Sequence, residues 1–357
     1  LEAIKTDVFY VNLSDQTQAL KENKNRSNPK RWFGVILGIA ISAVTIYLVF
    51  QWAGWDPLIE ALSRVDLWLV ALAMIVFLIS MLARALSWRE LLDRKFSLLQ
   101  VLAALNEGYL LNNILPWRLG EFGRAILLGR KGASGTLTVL STIFVERMLD
   151  VFIAFSILVA LLPTAAGLPE ARRTGLILAS ILVAGAIVVW FLLRDSTWIQ
   201  RLFARLPGDA SRWEVFWQRI QRGLMVLREP SRFLRSLSWL GLSWFLAGIQ
   251  YWLVLRAVVP EANLLWAFFM LTVTLLGIAV PSSPGFIGVF EAAGVLALSV
   301  FNVPRGDALA ASLLIHGIVY VLGSLLGAVA ITREGETLMG IYHQIRTRFA
   351  AEAVADT

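Results

Sequence analysis

The stretch Asn112-Asn113-Ile114-Leu115-Pro116-Trp117-Arg118-Leu119-Gly120-Glu121-Phe122-Gly123-Arg124 lies in an apolar chain, where a membrane-spanning helix would be expected. It carries two amides, three charges, a proline and two glycines. Proline removes a backbone donor and glycine lets the chain turn tightly. Neither suits the middle of a helix that must satisfy its own backbone in hydrocarbon. How this segment is read decides how often the chain crosses the bilayer and in which direction.

Hydrophobic residues make up 58% of the 357, charged residues 16%, and mean hydropathy is +0.70. A soluble domain carries roughly 25% charged residues, so this composition is that of an integral membrane protein. There is no cysteine, and His316 and His343 are the two histidines, which leaves no disulfide framework and little for a metal centre. No metal and no cofactor are expected, and no GxxxxGK[ST] loop marks a nucleotide site. The net charge of +7 points to cytoplasmic loops and anionic lipid headgroups. Nucleic acid is not an expected partner, because no binding motif accompanies the basic residues.

Spans of about 20 apolar residues are predicted at 33–53, 67–86, 137–162, 175–193, 236–258 and 308–331. Trp32, Trp52, Trp55, Trp68, Trp190, Trp239 and Trp266 fall near their ends, as an aromatic belt requires. The apolar regions 97–131 and 264–301 are interrupted by proline and glycine. Between 193 and 236 stand nine arginines against four acids, whereas 54–66 holds Asp56, Glu60 and Asp66 with Arg64. The positive-inside rule makes the first loop cytoplasmic and the second external. If 97–115 crossed fully, Arg118, Arg124, Arg130 and Lys131 would lie outside and later loops would carry the wrong sign. A segment 97–131 that dips in and returns keeps every loop consistent. The same bookkeeping makes 264–301 a hairpin entering from outside and leaves both termini cytoplasmic.

The two broken segments share a spacing, Pro116-x-x-x-Gly120-x-x-Gly123 and Pro281-x-x-x-Gly285-x-x-Gly288, offset by 165 residues. Each lies in a helix–hairpin–helix unit of 96 residues, 67–162 and 236–331, and the two units run in opposite senses. The expected fold is an all-α polytopic membrane protein, with about six spanning helices and two re-entrant hairpins arranged as inverted-topology repeats. Asn112, Asn113, Pro116, Gly120 and Gly123 form the first hairpin; Pro281, Pro284, Gly285 and Gly288 form the second. Residues 1–31 read as a polar cytoplasmic tail, 32–332 as the membrane domain and 333–357 as a second cytoplasmic tail. Within 194–235, Trp213, Phe216, Trp217, Ile220, Leu224 and Leu227 recur at helical spacing, as in an amphipathic helix on an anionic membrane surface.

Ionisable residues inside a membrane are expensive and concentrate at functional sites. The segment TLTVLSTIFVERMLDVFIAFSILVALL (136–162) buries Glu146, Arg147 and Asp150 at spacings that share a helix face. They form either a self-neutralising lock between helices or a headgroup or proton site. Adding the 165-residue offset to Asp150 gives 315, so the repeat expects His316 near Asp150. Arg118, Glu121 and Arg124 stand at i,i+3 and suit a ladder on a short helix, read equally well as an anchor or as a phosphate clamp. Glu291 is the acidic counterpart after the second hairpin, while Arg84 reads as a residue snorkelling near a helix end. Asn106 and Glu107 read as partners for broken backbone or for a polar headgroup.

NNILPWRLGEFGRAILLGRK (112–131), TIFVERMLDVF (142–152) and PSSPGFIGVFEAAGV (281–295) resemble, in order, the membrane region of the lysylphosphatidylglycerol synthase and flippase-like family. The resemblance covers about residues 33–332. It implies a stand-alone membrane domain of the cell (inner) membrane that moves a phospholipid between leaflets, with anionic or aminoacylated headgroups as partners. It also implies a lipid path along Pro116–Arg124, Glu146, Arg147, Asp150 and Pro281–Glu291. The aminoacyl-transferase of the full synthases is not part of the resemblance, so an enzyme is not expected. The alternatives are an intramembrane enzyme acting on a lipid phosphate and a non-catalytic subunit of a glycolipid or envelope pathway. A polyprenyl-linked lipid stays open as substrate, and a homo-oligomer as the assembly.

Overall fold

The computed structural model describes residues 29–115, 119–132, 135–165, 229–278 and 283–336, with positions 173, 177, 180, 338, 340 and 341. Pro116, Arg118, Pro281, the amphipathic stretch and nearly all of the span expected at 175–193 lie outside the described residues, as do most of both tails. Among the described residues the chain is helical and has no strand. Ten helices follow in order: α1 Pro29–Ala53, α2 Trp55–Ser63, α3 Leu67–Leu91, α4 Leu98–Ile114, α5 Leu119–Arg130, α6 Thr136–Ala165, α7 Pro230–Val258, α8 Leu264–Gly277, α9 Val289–Ser299 and α10 Arg305–Arg333. A 3-10 turn at Pro284–Phe286 joins α8 to α9.

Side-chain caps start the helices where the apolar runs begin. The Asp66 carboxylate accepts from the Trp68 and Leu69 N–H groups at 2.9 and 3.4 Å, and Ser97 with Gln100 closes a capping box on α4. Among the described residues three helices, α3, α7 and α10, are long and apolar enough to cross a membrane. Their outward faces stay apolar, with Ile75, Leu78 and Ile79 of α3 and Val321, Leu325 and Val329 of α10 exposed. Water would not leave these side chains uncovered in such number, but hydrocarbon does.

The most extensive packing joins α3 to α7. Ser80 Oγ donates to the Ser243 carbonyl (3.1 Å), Ser87 Oγ to the Ser236 carbonyl (2.9 Å), and Ser236 Oγ donates back to the Ser87 carbonyl (3.2 Å). Seven residues forward on α3 match seven backward on α7, so the pair is antiparallel. Small hydroxyl residues let two backbones approach where lipid gives apolar side chains no reason to prefer one another.

Ion pairs collect cations at one end of the bundle. Arg232 pairs with Asp93, Arg235 with Glu90 (3.4 Å), Lys131 with Glu334 and Arg130 with Glu336 (3.6 Å). At the other end Arg64 pairs with Asp307 (3.6 Å), and Trp266 stacks on Phe301 at 5.3 Å. Gln100, near the start of α4, and Arg130, at the end of α5, line one cavity, so this broken segment begins and ends at the cation-rich end. The segment α8–α9 begins and ends at the opposite end, where Trp266 meets Phe301.

The glycine spacing now has a mechanical reason. A Cβ at Gly120 would overlap the Gly108 carbonyl oxygen and stand 2.6 Å from Asn112 Oδ1, so α5 folds back on α4 only with glycine there. The freed Gly120 N–H donates to Asn112 Oδ1 at 2.9 Å. In the second segment Gly285 has φ +71°, and a Cβ there would stand 2.6 Å from the Tyr320 ring.

Candidate functional site

Three helices bring six ionisable side chains together, and a fourth adds a tryptophan. Arg84 reaches from α3 to α6, donating through Nη1 to Glu146 Oε1 (2.7 Å) and Asp150 Oδ2 (3.0 Å), and through Nη2 to Asp150 Oδ1 (2.8 Å). From α5, Arg124 Nη2 donates to Glu146 Oε2 at 3.1 Å. Arg147 Nη1 donates to Asp150 Oδ2 at 3.2 Å, and α7 contributes Trp244, whose Nε1 donates to Asp150 Oδ1 at 3.0 Å. Three arginines face Glu121, Glu146 and Asp150, so the formal charges cancel. Trp88 forms one wall: the Arg124 guanidinium lies 4.5 Å from its ring, and its Nε1 donates to Thr142 Oγ1 at 3.1 Å.

Burial grades across this cluster. The side chains of Glu146 and Asp150 are 1% and 2% exposed, but that of Arg147 is 30% exposed. Arg147 Nε stands 2.9 Å from Glu121 Oε1 without the alignment of a hydrogen bond. On the same stretch of α6, Phe144, Met148 and Val151 are exposed. Arg147 is therefore a guanidinium set in an apolar outer stripe, one side joined to a buried charge network and one donor unspent.

A second polar group joins the 3-10 turn, α9 and α10. His316 Nδ1 lies 2.6 Å from Glu291 Oε1 and Nε2 2.8 Å from the Gly285 carbonyl oxygen, while Glu291 Oε2 accepts from the Gly288 N–H at 2.6 Å. Each cluster thus links the helix after a break to the long helix that follows it. Asn113 Nδ2 donates to Ser324 Oγ (2.8 Å) and to the Tyr320 carbonyl (3.3 Å), tying the end of α4 to α10.

Three expectations are corrected. Arg84 does not snorkel; it is the hub of the buried network, and its signal was its position inside an apolar helix and not after it. Glu121 and Arg124 do not ladder along α5, because α6 offers them Arg147 and Glu146. His316 does not share a bond with Asp150: a sequence offset locates equivalent positions but not which hairpin helix packs on α10. Trp88 and Trp244 carried no sequence signal beyond being aromatic. Glu107 is fully buried, and among the described residues neither carboxylate oxygen has a hydrogen-bond partner. It lies beside Glu334, Lys131 and Glu336, which line a cavity of about 460 Å³ with Gln100, Leu127 and Arg130. Among the described residues no cluster of histidine and carboxylate groups could hold a metal ion.

The arrangement of broken segments and buried charges lies within residues 35–327, the range matched by the family model of the lysylphosphatidylglycerol synthase TM region. The chain belongs to this family. Among curated proteins similar to this chain, a UPF0104 membrane protein of Methanocaldococcus jannaschii is 25% identical over 222 residues, 61% of this chain and 92% of that protein. A UPF0104 membrane protein of Pyrococcus horikoshii is 27% identical over 128 residues, 34% of this chain and 37% of that protein. No solved structure matches the chain. Membership and the apolar helices together make this a membrane protein, consistent with a lipid-related role.

Proposed function

We propose that this member of the lysylphosphatidylglycerol synthase TM region family is a lipid translocator that moves a phospholipid or related polar-headgroup lipid between leaflets. The observation that carries the reading is Arg147, partly exposed in the apolar stripe of Phe144, Met148 and Val151 and joined to the buried network behind it. A lipid lying along that stripe keeps its acyl chains in hydrocarbon while its phosphate meets a guanidinium fork, in place of Glu121. Arg84 and Arg124 hold Glu146 and Asp150 in position, so the charge balance inside survives the exchange.

The architecture supports a transporter built from inverted repeats. Helix lengths run long, short, short, long twice, as α3–α6 and as α7–α10. Neighbours correspond: α4 packs on α10 as α8 packs on α6, and α5 on α6 as α9 on α10. The segments α4–α5 and α8–α9 open at opposite ends, as two re-entrant hairpins would. With the cation-rich end cytoplasmic, both tails face the cytoplasm of a cell-membrane protein.

Purified protein in liposomes containing a short-chain fluorescent phospholipid tests this. Movement of the lipid between leaflets at unchanged mass is the expected result. New lipid masses would assign an enzyme, and neither movement nor product would assign a subunit of a larger pathway.

A further inference from the structure

His316 faces an acceptor at each ring nitrogen, the Glu291 carboxylate at Nδ1 and the Gly285 carbonyl at Nε2. A carbonyl oxygen cannot donate, so Nε2 must carry a hydrogen, and a neutral imidazole has one N–H. Nδ1 is then a bare lone pair 2.6 Å from a carboxylate oxygen, unless one more proton lies between them. With that proton the pair is imidazolium and carboxylate, or imidazole and carboxylic acid, and both forms satisfy every contact. Without it, two lone pairs oppose one another in a buried site.

Among the described residues the surroundings add no competing charge. Phe290 stacks on the ring at 4.6 Å and Tyr320 meets it edge-on at 6.0 Å. Helix α8 has no ionisable side chain, and α1 presents Ser42, whose Oγ accepts from the Ser283 N–H at 3.1 Å. From α4 comes Asn113; Tyr109 of that helix packs at Gly323, and Glu107 lies among Glu334, Lys131 and Glu336. Among the described residues Glu291 is thus the charged group that answers His316, and Tyr320 the other titratable one beside it.

We propose that His316 and Glu291 form a proton-binding site, and that the single proton held there fastens the Pro284–Phe286 turn to α10. This turn is where the broken segments meet: α4 packs on it, and a Cβ at Gly285 would stand 3.6 Å from the Asn113 carbonyl oxygen. Release of the proton turns the Nε2 bond or the Nδ1 contact repulsive and frees the turn from α10. Resting on the translocator reading, this site couples lipid passage to a pH gradient.

Two readouts test the site and the coupling separately. With two histidines in the chain, ring-15N-labelled protein gives two imidazole signals, and His316→Gln assigns one of them. At neutral pH a strongly deshielded proton bound to His316 is expected, lost in Glu291→Gln. An unprotonated Nδ1 opposite an ionised Glu291, read by isotope-edited infrared spectroscopy, overturns the site. In proteoliposomes, one proton per lipid shifts the steady-state leaflet ratio up to about tenfold per pH unit imposed. His316→Gln and Glu291→Gln are expected to lose that shift, and a gradient response retained in both overturns the coupling. Wild-type protein that moves no lipid removes the translocator reading and the coupling with it, while the spectrum still decides the proton site.

Discussion

Arg84 and Asp150 meet through two parallel hydrogen bonds, Nη1 to Oδ2 at 3.0 Å and Nη2 to Oδ1 at 2.8 Å, across 66 residues of sequence. A planar fork against a carboxylate is the strong form of a buried ion pair, and removing one partner leaves a charge with nothing to answer it. Arg84→Met is expected to destabilise the protein by about 3–5 kcal/mol. Arg84→Lys keeps the charge but loses the fork, and its loss should be smaller. Thermal unfolding in detergent ranks the three; an unchanged melting temperature for Arg84→Met would show that the network does not hold the fold.

Arg147 predicts the reverse profile. Glu146 keeps Arg84 and Arg124, and Asp150 keeps Arg84 and Trp244, so Arg147→Gln strands neither. Its partly exposed pairs contribute up to about 1 kcal/mol, and stability should fall by no more than that. Lipid movement should drop at least tenfold. Equal flipping by the variant and the wild type would take Arg147 out of the lipid path.

At Gly120 the test is steric. Gly120→Ala puts a methyl group into the Gly108 carbonyl and the Asn112 amide, and the rest of α4 and α5 must separate to accept it. Overpacking of this kind costs about 1–3 kcal/mol. The melting temperature should drop accordingly, whereas Gly317→Ala, where a Cβ meets open space, serves as the control.

Among the described residues no donor reaches either Glu107 oxygen, and Glu334 lies beside it, so an ionised carboxylate there detracts from stability. Glu107→Met is expected to raise stability by about 1–3 kcal/mol, the cost of an unsatisfied buried polar group. A lower melting temperature would mean that the carboxyl group has a partner in the folded protein.

The absence of cysteine makes sidedness directly measurable. Lys95→Cys and Lys131→Cys flank the segment that contains α4 and α5, and both should react with an impermeant thiol reagent from the cytoplasmic side. Glu60→Cys should react from the opposite side. Labelling of the two lysine positions from opposite sides would show that the first segment crosses the bilayer.

Much of this was legible because breaks in an apolar run are visible one residue at a time. Gly120 and Gly285 signalled where the chain turns back, and the pairing of Arg232 with Asp93 and Lys131 with Glu334 puts these basic residues at one end, as their charge required. The buried triplet Glu146, Arg147 and Asp150 stood out for the same local reason. What escaped depends on packing between distant segments. Nothing near Arg84 says that α6 lies opposite it, and nothing near His316 says that its partner is 25 residues upstream and not on α6.

The serine pairs between α3 and α7 restrict how such a protein can move. Because Ser80 with Ser243 and Ser87 with Ser236 repeat every two turns, sliding one helix along the other breaks both pairs at once. Two pairs about 10 Å apart along the helices also resist rotation of one helix across the other. The two long helices then form a spine of fixed register, and any displacement of α4–α5 or α8–α9 takes place against it.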